Sequence, residues 1–275
     1  MNALITSIPL SSPHVHSQFC DGRNTAEEMV LSAISRGFVS LGISSHFDYT
    51  GHVSPRQEPL YIAHIRELSA KYAGRIRLWL GAERDYFAVC DPANFDYTIG
   101  SVHFFMIGDD YFSVDGNPQV LRDMIGRHFG GSGAAMAIAY YRQLADYISG
   151  FRPSIIGHFD LVMRNNRAHE LFDPSDPAVI RAVLECMEQS ITVCRLLEVN
   201  TGAIPRFGAS SPYPELPLLR HWHDLGGEVI LSSDCHFADQ IDGGYEQGIR
   251  RMKDAGYNQM KLLGRGKELF ETAEI

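Results

Sequence analysis

Residues 38–48 read FVSLGISSHFD, and this short run contains a strand that ends in chemistry. Val39, Leu41 and Ile43 alternate as strand residues do, and His46 stands just past them. On the N-terminal side, Thr25 and Glu28 have the spacing of a capping box and Gly37 supplies a stop, so residues 26–36 are predicted to be a helix. Beyond the strand, a second helix is expected after Ser54, with Pro55 in its first turn and Gly74 at its end. The apolar run 76–80 follows, with Glu83 just beyond it. The same grammar recurs at 97–102 before His103, 154–157 before His158, 196–199 before Asn200, and 228–232 before Asp234 and His236. Helices are predicted at 135–148 and from 177 to about 192, the latter capped by Asp176 ahead of Pro177. Strands alternating with helices imply parallel pairing. Strand-like runs that each finish in a polar residue favour a barrel rim over a doubly wound sheet, which would concentrate such residues at one switch point. Residues 108–132 are expected to be a long surface connection bordering the site. The chain shows no internal repeat and reads as one α/β domain over residues 1–275.

The composition narrows the choice of partner. The 275 residues are 45% hydrophobic and 21% charged, enough to bury a core, and no apolar run is long enough to cross a bilayer. Acidic residues exceed basic ones 33 to 24, and no Lys/Arg cluster stands ready to follow a phosphate backbone, so neither nucleic acid nor membrane is expected as a partner. The opening MNALITSIPLSSP lacks a secretory signal, and five cysteines without a CxxC pair suit reduced thiols, which points to the cytosol. Nothing in the sequence specifies an oligomeric state.

Histidine carries the information. His14 and His16 lie two apart, and in extended chain such side chains share a face roughly 6.5–7 Å apart, so they can grip one ion. Asp234 and His236 form a similar pair. Taken singly, His46 could be a loop residue, His103 or His158 a core group, and Glu83 a solvated one. A parallel barrel would instead gather His14, His16, Asp21, His46, Glu83, His103, His158, Asp234 and His236 on one rim. Three carboxylates and six imidazoles packed together need compensating cations. This nitrogen and oxygen set suits Zn, Mn or Fe better than Mg or Ca, has ligands enough for two or three ions, and lacks the cysteines of a closed structural zinc site. It reads as catalytic.

The motifs HVHSQFCDG, GISSHFDY, GAERDY, IGSVHF, IIGHFDL and LSSDCHFAD, in this order from about Pro13 to Gly266, resemble those of the polymerase-and-histidinol-phosphatase (PHP) superfamily. In length and arrangement the chain is most similar to its histidinol-phosphate phosphatases. The resemblance implies a distorted seven-stranded barrel and a trinuclear metal centre. It implies one ion on His14, His16, Glu83 and Asp234, a second sharing Glu83 with His103 and His158, and a third on Asp21, His46 and His236. Many members carry an acidic residue two places before the first motif histidine. This chain has Ser12 there, which leaves open what orients His14.

Three divalent ions, offset by three carboxylates and a bridging hydroxide, leave a net charge of about +2, which a phosphate monoester at about −1.5 to −2 nearly cancels and a diester does not. The expected reaction is therefore metal-assisted hydrolysis of a small phosphate monoester, with histidinol phosphate as the favoured substrate. A phosphodiesterase or exonuclease of the same superfamily is the nearest alternative. An amidohydrolase-like C–N hydrolase is a more distant one, since no lysine stands at a middle strand end. His236, Asp160 and Asp234 are the catalytic candidates, with His236 or Asp160, or else bound water, as the general acid. Arg206, Arg164 and Arg84 are candidate phosphate clamps. Of these, Arg206 resembles the post-strand arginine of the phosphatases. Asp48, Tyr49, Asp85 and Tyr86 are candidates for recognising an imidazole and an ammonium. Cys20 and Cys235 are expected to point away from the ions into the core.

Overall fold

The computed structural model describes residues 8–275 apart from 49, 51 and 167. In chain order its elements are β1 (Leu10–Ser12), α1 (Ala26–Ser35), β2 (Phe38–Ile43), β3 (His46–Phe47), α2 (Glu58–Lys71), β4 (Arg77–Asp85), β5 (Tyr97–Ser101), β6 (Phe104–Ile107) and β7 (Asp110–Ser113). There follow α3 (Pro118–His128), α4 (Gly133–Phe151), β8 (Ile155–Ile156), α5 (Pro177–Ile191), β9 (Leu196–Asn200), α6 (Ala203–Phe207), α7 (Leu216–Asp224), β10 (Glu228–Ser232), α8 (Tyr245–Ala255), β11 (Gln259–Leu263) and β12 (Phe270–Glu274). No helix among the described residues is long and apolar enough to cross a membrane.

The caps read from the sequence form as expected. Thr25 Oγ1 accepts from the Glu28 amide, while the Glu28 carboxylate accepts from Thr25 N at 2.7 Å. Asp176 accepts from Ala178 N at 2.7 Å and opens α5. Two expectations are corrected. The Ser54–Pro55 segment is a turn, and α2 begins at Glu58 with Pro59 as its early proline. Residues 108–132 are not irregular: they contain β7, which closes a hairpin with β6, and α3, whose Asn117 accepts from Gln119 N at 2.9 Å.

The main sheet has ten strands in the order β1-β2-β4-β5-β8-β9-β10-β11-β12, with β3 added on β4. Every pair is parallel except β11 with β12. The architecture is thus α/β with a mostly parallel sheet. The expected seven-stranded barrel is corrected: β1 comes round to touch β10 and β11, but no ladder closes the ring among the described residues. Serine hydroxyls occupy the seam instead. Ser12 Oγ meets Ser233 Oγ at 3.2 Å, Leu263 N donates to Ser11 Oγ at 3.2 Å and Ser40 Oγ donates to the Leu263 carbonyl at 2.6 Å. A single parallel bridge, Val15 to Cys235, joins the two sides above the seam.

Helices pack on the outer face of the sheet over one large apolar core. A smaller cluster, Trp79, Tyr97, Ile99, Ile155, Leu196, Ile230 and Leu263, draws one or two residues from each of six strands and forms the inner layer. Gly42 and Gly81 make room for it, since a Cβ at either would lie within 2.5 Å of the Tyr97 hydroxyl, which donates to the Pro13 carbonyl. Strand alternation then places Glu83 four residues above Trp79, and Glu198 two above Leu196, on the same face. The inner layer is the floor on which the polar residues stand.

Candidate metal centre

All nine predicted ligands meet above that floor. Val15 pairs with Cys235 and so aims His14 and His16 to one side, with ring centroids 5.0 Å apart. Glu83 lies within β4, not past it as expected, and sits in register with His46 of β3. Its carboxylate is 1% exposed and faces five imidazoles. Glu83 Oε2 lies 3.1 Å from His14 Nε2, 3.5 Å from His16 Nε2 and 2.7 Å from His46 Nδ1. Glu83 Oε1 lies 2.9 Å from His158 Nε2 and 3.4 Å from His103 Nε2. Asp234 Oδ1 stands 3.0 Å from His16 Nε2 and 3.6 Å from His14 Nε2, and Asp21 Oδ1 stands 3.0 Å from His236 Nε2 and 3.6 Å from His46 Nε2. Asp234 holds a left-handed backbone, φ 43°, which costs a non-glycine residue about 1–3 kcal/mol. Gly202 packs beneath it, where a Cβ would lie 2.8 Å from that of Asp234.

Protons alone serve this cluster poorly. Burial would raise the Glu83 pKa, but His14, His46 and His103 hold it well below the usual range. Burial would lower His14, yet Glu83, Glu198 and Asp234 drive it well above the usual value. For His16, burial and the neighbouring His236 and His46 act together and push it well down. Against its burial, His103 is pushed up to about 9 by Glu83 and Asp85. Adjacent imidazoles are thus driven in opposite directions, and the buried atoms His14 Nε2 and Glu83 Oε2 lack a well-formed hydrogen bond. Divalent ions resolve both problems. Donor atoms converge in three groups: His16, Asp21, His46 and His236; His14, His16 and Glu83; and His46, Glu83 and His103. A nitrogen and oxygen set of this kind fits transition metals.

Comparison with known proteins agrees with this geometry. The family model described as "PHP domain" matches residues 12–202. The chain belongs to the PHP domain family. A protein of Schizosaccharomyces pombe named "Probable histidinol-phosphatase" is 26% identical over 95% of this chain and 91% of its own length. The "Histidinol-phosphatase" of Bacillus subtilis is 24% identical over 86% and 97%. A crystal structure of histidinol phosphate phosphatase from Lactococcus lactis, complexed with zinc, L-histidinol and phosphate, superposes with a TM-score of 0.64 at 21% identity, covering 91% of this chain and 95% of that one. Asp234 and His236 lie beyond the matched PHP segment, and β10 brings them back to it.

Behind the ligands of this PHP domain stand residues that the sequence reading missed. Glu198 is fully buried, and its Oε1 accepts from His14 Nδ1 at 2.6 Å and from Ser232 Oγ at 2.5 Å. Its Oε2 accepts from the His158 amide at 2.8 Å and from Asn200 Nδ2 at 3.0 Å. The carboxylate that orients His14 therefore comes from β9, not from position 12. The signal was present: a glutamate between Leu197 and Val199 in a buried strand. Asp85 accepts from the His103 amide at 2.7 Å and meets its Nδ1 at 3.3 Å, so it is a partner of His103 and not a substrate contact. Cys235 turns its thiol to the Phe237 carbonyl, and burial pushes it up to about 12. Cys20 corrects the expectation, since its sulfur lies 3.3 Å from His16 Nδ1.

The cluster opens into a cavity of about 160 Å³ lined by Asp48, Arg164 and Arg206, and also by His52, Phe104, Asp115, Phe207 and Tyr213. Arg206 donates to His236 Nε2 at 2.9 Å. Arg84 is not brought there: neighbouring Glu83 on β4, it faces the other way, 3.9 Å over the Phe151 ring. Nor is Asp160, which is fully buried and accepts from Glu215 N at 2.9 Å at the start of α7. Tyr86 packs with Phe87 and Tyr147 outside the cavity lining. Tyr49 lies outside the described residues.

Proposed function

We infer that this chain hydrolyses a small phosphate monoester, and that the ester is L-histidinol phosphate, giving L-histidinol and phosphate. The observation that carries the reading is the Glu83 carboxylate, buried among five imidazoles beneath a cavity whose mouth holds Arg206 and Arg164. The name shared by relatives across most of their length supports the substrate. His14, His16, Glu83 and Asp234 would hold one ion, Glu83 with His103 and His158 a second, and Asp21, His46 and His236 a third. His16 and His46 each reach two groups. Zinc, manganese and iron all suit these donors. Bound divalent ions supply an activated water and polarise the phosphoryl oxygens.

The remaining roles belong to the chain's own side chains. Arg206 and Arg164 present planar guanidinium forks to the phosphoryl group. Asp48, a cavity residue held ionised by His52 and Thr50 against its burial, offers negative charge to the cationic part of the substrate. His236 makes a poor proton donor while it ligates an ion, and Asp160 is turned away, so water is left to protonate the departing alkoxide. The acidic balance opposes a polyanionic substrate, and five free cysteines suit a cytosolic enzyme. A phosphate-release screen over monoesters and dinucleotides with metal-loaded protein tests this. A kcat/KM for histidinol phosphate far above that for generic esters is expected. Equal slow turnover of all esters, or preference for the dinucleotides, overturns the substrate assignment.

A further inference from the structure

Phe207 is 42% exposed at the end of α6 and lines the cavity. Two guanidinium groups lie against its ring. The Arg164 Cζ lies 4.0 Å from the ring centroid and the Arg206 Cζ 5.1 Å from it. Arg206 precedes Phe207 in the same short helix, whereas Arg164 arrives from the 3₁₀ turn Leu161–Asn165. Both arginines and the ring line the cavity. Two like charges side by side repel, and each has one carboxylate partner: Asp115 for Arg164 at 2.5 Å, and Asp21 for Arg206 at 3.4 Å. Asp21 is also drawn to His236 and His46, so it holds Arg206 loosely. The π faces of Phe207 offer both cations a fixed negative surface that is independent of any metal.

We propose that Phe207 is a positioning residue that holds Arg164 and Arg206 together as one two-armed anion clamp, preorganised for the phosphoryl group. The proposal rests on the phosphate-ester reading of the site. Both cavity arginines lie against this one ring, and an unrestrained arginine would surrender side-chain entropy on every binding event. Leucine keeps the apolar bulk and removes the quadrupole, whereas tyrosine keeps it.

The test uses the full-length, metal-loaded chain and inorganic phosphate as the calorimetric probe, so it does not depend on turnover. F207L is expected to weaken phosphate binding about fivefold, close to 1 kcal/mol at 1.4 kcal/mol per tenfold. KM for the phosphate ester should rise in parallel, with kcat and metal content unchanged, and F207Y should restore both constants. In an R164M background, F207L should do markedly less. Phosphate affinity in F207L equal to wild type, or an equal loss with and without Arg164, overturns the proposal. If wild type binds phosphate and F207L binds it fivefold more weakly while no ester is turned over, the clamp stands and the phosphatase reading falls.

Discussion

Replacing Glu198 with glutamine changes one atom and tests how this centre is built. The carboxylate can only accept, and it takes four hydrogen bonds, two on each oxygen. An amide must turn its NH2 toward one of those pairs. Facing the His158 amide and Asn200, it leaves a buried backbone N–H without an acceptor, at about 1–3 kcal/mol. Facing His14 and Ser232, it is tolerated only if the hydroxyl rotates and the His14 proton moves from Nδ1 to Nε2. Nε2 is the atom aimed at Glu83, and a protonated Nε2 cannot ligate. Either orientation therefore costs stability or metal affinity, and the loss of charge weakens His14 as a ligand in both. The expected result for E198Q is a 10–100-fold loss of zinc affinity, the range typical when the partner of a ligating histidine is altered. Competition against a chromophoric chelator would measure the affinity, and melting curves recorded with and without zinc would show which orientation prevails. Zinc affinity within twofold of wild type, with unchanged melting temperature in both states, would refute the argument that Glu198 sets the His14 tautomer.

Glu83→Gln should lower bound metal more than Asp21→Asn does, because Glu83 belongs to two of the donor groups and Asp21 to one; metal content by mass spectrometry after gel filtration decides it. Asp160 gives a pH prediction. Burial pushes its carboxyl up to about 7 from 3.8, so the folded chain binds the extra proton between these values and stability falls as pH rises through that window. Asp160→Asn cannot ionise, so it should melt higher than wild type at pH 8, by as much as roughly 4 kcal/mol of stability at 1.36 kcal/mol per pKa unit, with the gap closing near pH 4. Arg84→Met should leave kcat/KM within about twofold and cost about 1–2 kcal/mol of stability, the worth of a part-buried cation–π contact whose guanidinium also donates to the Ala88 carbonyl at 3.1 Å; a large loss of turnover would return Arg84 to the site.

Much of the centre was legible in the sequence, because a parallel strand delivers its C-terminal residues to a common edge whatever lies between them. His46 after β2, His103 after β5, His158 after β8, and Asp234 and His236 after β10 needed only strand ends to be counted. The turns too were local matters: Thr25 with Glu28 and Asp176 with Ala178 are contacts between near neighbours in the chain. What the sequence left undecided are relations between distant segments. Whether the sheet closes depends on Ser11, Ser12 and Ser40 meeting Leu263 and Ser233, more than 200 residues away, and hydroxyls there replace a ladder. Glu198 looked like any strand residue until His14 was found 2.6 Å away, and Arg84 looked as close to the chemistry as Glu83 until the pleat turned it to the opposite face. Periodicity fixes which face a residue takes within its own strand. Only the packed molecule decides what stands opposite it, because that depends on the registers of strands that never meet in sequence.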